Sequence, residues 1–206
     1  MNKICILDYH SGNVASIANV LTKLEINFTI SNKKKDIIDA SHYILPGVGS
    51  FPSAMEKINK ILPIDIIEDQ IFIKKKSIMG ICVGMQVMCS FGYEFKKTKG
   101  LNWFKNEVKK INSENLPLPH IGWNSIKIKK KSKILENIID YQDFYFVNSY
   151  CVEQTEKEKN IIVATTNYGN DFLSIIEKEN ILGVQFHPEK SHKNGIKILR
   201  NFFKLY

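Results

Sequence analysis

Arginine is almost missing from this chain: of 29 basic residues, only Arg200 is an arginine. That scarcity weighs against nucleic-acid recognition despite the net charge of +8, because arginine supplies the bidentate forks that read bases and phosphates. The lysines fall instead in scattered runs, such as Lys33-Lys34-Lys35, Lys74-Lys75-Lys76 and Lys129-Lys130-Lys131, which read as solvated loops and strand edges. Surplus positive charge still suits docking onto an acidic partner. Apolar runs of membrane-spanning length, roughly 18 to 20 residues, are also missing. Met1-Asn2-Lys3 leads straight into a strand rather than a signal peptide, so a cytoplasmic protein is expected. Cysteine is sparse too. Cys5, Cys82, Cys89 and Cys151 lack paired metal-ligand spacing, and a cytosolic setting disfavours disulfides. Cys5, Cys89 and Cys151 are expected to be packing residues. Neither internal repeats nor a low-complexity linker divides the 206 residues, so one domain spanning 1–206 is expected.

What is present centres on Gly80-Ile81-Cys82-Val83-Gly84-Met85-Gln86. A thiol flanked by glycines two residues away on each side, directly after an apolar strand, reads as a nucleophile elbow. The sharp strand-to-helix turn excludes bulky neighbours and lifts the side chain above the sheet. There the positive end of the following helix favours a thiolate, and the next N–H, from Val83, points where an oxyanion would form. Taken alone the run also suits an ordinary buried turn. A second element lies about a hundred residues further on, at His187-Pro188-Glu189. Residues two apart before and after a proline, in extended backbone, project to one side. A carboxylate beside an imidazole fixes its tautomer and stabilises the imidazolium partner of a thiolate. Cys82, His187 and Glu189 together therefore predict a catalytic triad.

These two motifs resemble the class I, triad-type glutamine amidotransferases, which take ammonia from glutamine and pass it to a synthase. Four further segments are similar, more narrowly, to glutaminase subunits of imidazole glycerol phosphate synthases: Asp8 to Asn13, Leu45 to Phe51, Pro119 to Asn124 and Tyr145 to Tyr150. They occur in family order, and the resemblance covers essentially the whole chain. It implies that Gly49 and Val83 form an oxyanion hole, with the Gly47-Val48-Gly49 loop adjusting to complete it. It implies substrate binding by Gln86, by Glu94 at the ammonium, and by Ser149 and Tyr150 through backbone groups. Trp123, Tyr145 and Lys190 match positions at an interface with a (β/α)8-barrel cyclase; a tryptophan in Gly-Trp-Asn also suits a core. The implied reaction needs neither metal nor organic cofactor. Ammonia would pass to the cyclase, giving imidazole glycerol phosphate and AICAR in histidine biosynthesis. One departure is Asn148, where these subunits usually carry histidine. It keeps open a paralogue that feeds ammonia to sugar amidination. A non-catalytic scaffold is disfavoured by the intact Cys82, His187 and Glu189. The glutaminase component of an anthranilate-type synthase fits the Pro46-to-Phe51 and Pro119-to-Asn124 segments poorly.

Periodicity predicts strands at Lys3 to Leu7, Ile26 to Ile30, Tyr43 to Leu45 and Ser77 to Ile81, with helices at Val14 to Leu24, Pro52 to Ile61 and Pro63 to Ile73. After Phe104 the pattern turns strand-rich: Glu107 to Ile111, Ser125 to Lys129, Phe144 to Val147, Ile161 to Thr166, Leu173 to Ile176 and Leu182 to Phe186, then a closing helix at Gly195 to Phe203. The expected class is α/β: a mostly parallel sheet flanked by helices, with added antiparallel strands in the C-terminal half, and the resemblance implies that it is flavodoxin-like.

Overall fold

The computed structural model describes residues 3–10, 13–154 and 156–206; Ser11 and Gly12 of the Asp8-to-Asn13 segment lie outside them. The N-terminal half alternates strand and helix: β1 (Ile4–Leu7), α1 (Val14–Lys23), β2 (Phe28–Ser31), α2 (Lys34–Asp39), β3 (His42–Leu45), α3 (Phe51–Ile61), α4 (Ile64–Glu68), β4 (Ser77–Ile81) and α5 (Val83–Val87). Short strands follow at β5 (Phe91–Gly92), β6 (Thr98–Lys99) and β7 (Glu107–Lys110). Then come β8 (His120–Ser125), β9 (Lys127–Ile128), β10 (Asp143–Asn148), β11 (Tyr150–Val152), β12 (Ile162–Tyr168), β13 (Asn170–Lys178), β14 (Ile181–Val184) and α6 (His192–Leu205).

Eight strands form the main sheet in the order β2-β1-β3-β4-β14-β13-β12-β9. The pairs from β2 to β14 are parallel and the remainder antiparallel. Strands β1, β3, β4 and β14 are buried at every residue, as expected for central strands covered on both faces. Helix α3 explains its own docking, since Phe51, Ala54, Met55 and Ile58 bury one face at spacings of three and four. Ile198, Leu199, Phe202 and Phe203 do the same for α6.

Several boundaries differ from the sequence expectation. The helix expected over Pro63 to Ile73 ends as α at Glu68 and continues as a π-helical turn, Asp69–Ile73. The strand expected over Ser125 to Lys129 is split at Ile126, which is fully buried. There the chain leaves its partner β10 and joins β12. Strand β8 itself, unanticipated, forms a separate two-stranded ribbon with β10. Strands β5 and β6 have two residues each, too few for a period to register. Among the described residues no helix is long and apolar enough to cross a membrane.

Candidate active site

Parallel pairing brings the two motifs together. Gly183 and Val184 of β14 lie beside Gly80 and Ile81 of β4, and the Cys82 N–H extends that ladder to the Val184 carbonyl at 2.8 Å. Both strands release their next residues at the same sheet edge, so a separation of about a hundred residues in sequence becomes side-by-side placement. Cys82 sits at φ 53°, ψ −113°, a conformation that costs a non-glycine residue of order 1–3 kcal/mol and persists only where the surroundings enforce it. The enforcing contact is visible at the glycines. A Cβ on Gly84 would lie 1.9 Å from the Leu45 carbonyl oxygen, and one on Gly47 would lie 2.2 Å from the Gly84 nitrogen. Helix α5 and the loop after β3 thus meet backbone to backbone, setting Val83 against Gly47; Gly49, which adopts φ +87°, lines the same cavity as Val83. Tyr9 anchors the same loop by donating from its hydroxyl to the Pro46 carbonyl at 2.7 Å.

His187 is 3 % exposed and interacts electrostatically with Cys82 and with Glu189. Its Nδ1 lies 2.9 Å from Glu189 Oε1, which leaves Nε2 for the sulfur. The turn is pinned from outside: the His187 N–H donates to the Tyr145 carbonyl at 2.8 Å, and Ser191 Oγ donates to the His187 carbonyl at 2.6 Å. Burial opposes charge on the imidazole, but the hydrogen bonds and negative charge of Cys82 and Glu189 outweigh it and push His187 up from 6.5 to about 10. A proton held this way contributes stability in full below the ordinary value near 6.5, and that contribution is lost as pH rises through about 10. Glu189→Gln removes one of the two supporting charges. The imidazole midpoint, followed by NMR, is expected to fall toward 6.5; an unchanged midpoint would remove Glu189 from this role. Asn13, not assigned from sequence, donates to the same Glu189 Oε1 at 3.2 Å.

Gly49, Cys82, Val83, Gln86, Glu94, Ser149 and Tyr150 line one cavity of about 220 Å³, together with Pro119, Val147 and Asn148. That is below the roughly 300–1,000 Å³ of sites for drug-sized ligands, and suits a single small molecule. A larger basin of about 770 Å³ elsewhere is open and lined by Lys75, Lys130, Lys131, Lys133, Glu177 and Glu179 among others; neither a cysteine nor a histidine lines it, so size does not mark the chemistry. Gln86 Nε2 donates to the Tyr150 carbonyl at 2.8 Å and to Gln185 Oε1 at 3.0 Å. Glu94 has a second attachment that the sequence did not signal. Its Oε2 accepts from the Phe51 N–H at 2.8 Å, at the first residue of α3, just beyond the Gly47-to-Gly49 loop. Asn148 donates from Nδ2 to the Tyr150 carbonyl at 3.0 Å. Among the described residues no group of three His, Cys, Asp or Glu side chains is placed to hold a metal.

Beside the His187 turn, Trp123 is 47 % exposed, with the Tyr145 ring 5.9 Å away and Lys190 Nζ 5.9 Å over that ring. The three positions expected at an interface therefore share one surface. It also includes Ile121, exposed on the same strand face, and His192, stacked on Trp123 at 5.0 Å with planes 4° apart; neither was singled out from sequence.

A thiol on a strained elbow, backed by an aligned imidazole, defines a cysteine-dependent amidotransferase class. The family model for Glutamine amidotransferase class-I matches residues 5–205, and the chain belongs to that family. Imidazole glycerol phosphate synthase subunit HisH of Pelagibacter ubique is 42 % identical over 98 % of this chain and 99 % of that protein. A subunit from Methanococcus maripaludis, named HisH 2, is 43 % identical over 98 % of both chains. Within the class, the chain stands with these HisH subunits. The structure of PurLQS from Thermotoga maritima, at 15 % identity and TM-score 0.75 over 99 % of this chain and 98 % of that one, shares the fold.

Proposed function

We propose that this chain, as a single cytoplasmic domain, is the glutaminase subunit of an imidazole glycerol phosphate synthase in histidine biosynthesis. The Cys82 thiolate attacks the side-chain carbonyl of glutamine, forming a C–S bond, while N–H groups of Val83 and the Gly49 loop receive the oxyanion. His187 gives its proton to the departing nitrogen as the C–N bond breaks. It then takes a proton from the water that hydrolyses the γ-glutamyl thioester, releasing glutamate and regenerating the thiol pair. Glu189 holds the imidazole throughout. Gln86 and the Ser149–Tyr150 backbone hold the substrate, and Glu94 receives its ammonium.

Free ammonia is protonated in bulk water, so the reaction is useful only with a synthase docked. The partner proposed is a (β/α)8-barrel cyclase seated as a heterodimer on Trp123, Tyr145 and Lys190, taking ammonia to make imidazole glycerol phosphate and AICAR. The observation that carries the reading is Cys82 at the wall of a small cavity, interacting with His187, whose imidazole is hydrogen-bonded to Glu189. The test is genetic and biochemical together. Deletion in a strain without a second copy is expected to impose a histidine requirement, and purified complex to form imidazole glycerol phosphate from glutamine. Growth without histidine would overturn the pathway. Asn148 favours one second reading: ammonia delivered to a sugar-amidinating synthase. Such a strain would keep growing without histidine and lose an amidinated surface sugar.

A further inference from the structure

Gln185 has no part in the mechanism so far, yet it is wholly buried at 0 % exposure and its amide touches the sulfur. Gln185 Nε2 lies 3.6 Å from Cys82 Sγ, while its Oε1 accepts from Gln86 Nε2 at 3.0 Å. The amide orientation follows from the network. The Tyr150 carbonyl can only accept, so the Gln86 atom 2.8 Å from it is nitrogen. The other hydrogen of that nitrogen must then meet an oxygen on Gln185, which turns the Gln185 NH2 toward the sulfur. The sulfur has neighbours of both kinds. The Val147 carbonyl, 3.7 Å away, can bond only a thiol, whereas an N–H from Gln185 or His187 strengthens as the sulfur ionises.

We propose that Gln185 is a positioning residue that holds the Cys82 sulfur in its ionised form and links it, through Gln86, to the wall of the glutamine cavity. This rests on Cys82 being the nucleophile. The carbonyl of Tyr150, Gln86, Gln185 and Cys82 form one line of donors and acceptors, and each link fixes the direction of the next. Substrate seated against Tyr150 and Gln86 would therefore hold the amide that faces the sulfur. Composition could not have pointed to it: a glutamine two residues before His187 looks like any polar strand residue, and its side-chain partners, Gln86 and Cys82, come from α5 and the residue before it.

The test is the pH–rate profile for alkylation of Cys82 by iodoacetamide, which reads thiolate without needing turnover. Gln185→Met keeps the length and loses the donor. Gln185→Glu keeps the shape and the acceptor for Gln86 but turns a carboxylate oxygen toward the sulfur, and remains readable if the Met variant folds poorly. The midpoint is expected to move up by about one unit in Gln185→Met, a roughly tenfold loss of alkylation rate at any pH below both midpoints, and further in Gln185→Glu. The titratable groups facing the sulfur, His187 backed by Glu189 and, across the cavity, Glu94 and Tyr150, are the same in all variants. A purely structural role would lower the rate at every pH without moving the midpoint, and that result overturns the proposal. If Cys82→Ala protein is alkylated as fast as the unaltered chain, Cys82 is not the reactive thiol, and the functional reading fails with it.

Discussion

Cys82→Ala is expected to abolish glutamine-dependent synthesis by the complex while leaving synthesis from free ammonia intact. Removing the nucleophile of such a unit costs on the order of 10⁶ in turnover, about as much as removing the whole triad. No other thiol can substitute. Cys5, Cys89 and Cys151 are buried, and burial pushes Cys5 and Cys151 up to about 12 and raises Cys89 as well. They pack rather than react, as the sequence suggested. The proposed partner's own reaction needs only ammonia and an intact docking surface, and the surface proposed for docking, at Trp123, Tyr145 and Lys190, is untouched by the substitution. Steady-state assays with glutamine and with an ammonium salt distinguish the two activities. Undiminished glutamine use by the variant would end the assignment of Cys82.

The second large effect is expected from Gly84→Ala. Intrinsic helix propensity favours alanine over glycine by about 1 kcal/mol, so α5 considered alone would gain stability. The tertiary contact reverses the sign. A Cβ 1.9 Å from the Leu45 oxygen and 2.9 Å from its carbonyl carbon meets backbone that cannot rotate away, and overpacking of this kind costs roughly 1–3 kcal/mol or more. The displacement also separates Val83 from the Gly47-to-Gly49 loop, so glutaminase turnover should fall by about 10² or more, the loss associated with one oxyanion donor. Denaturant midpoints and turnover are expected to drop together, unlike in Cys82→Ala, where the midpoint holds. A Gly84→Ala protein with unaltered stability and rate would show that this close approach is not required.

Glu94 illustrates how a residue can be singled out from sequence while its contacts are not. The family pattern placed it at the substrate ammonium, and it does line the cavity. Its other attachment, to the first N–H of α3, arises because Ser50 supplies no side-chain cap and the orphan donor needs an acceptor. Linear sequence holds no trace of that pairing across 43 residues. The same is true of Asn13 on Glu189 and of His192 on Trp123, each brought into contact by chain segments far apart in sequence.

What the sequence determined was whatever depends on neighbours along the chain: four apolar strands buried on both sides, the glycine spacing that permits an elbow, the His-Pro-Glu run and the order of the family segments. Those follow from local sterics and from burial of apolar side chains, both readable within a few residues. The tertiary structure decided the rest. Parallel pairing of β4 with β14 set thiol beside imidazole, the backbone contact at Gly47 and Gly84 held the loop after β3 against α5, and the line from Tyr150 through Gln86 and Gln185 turned an amide toward the sulfur. These depend on hydrogen-bond direction and on distances across elements, which no one-dimensional pattern encodes.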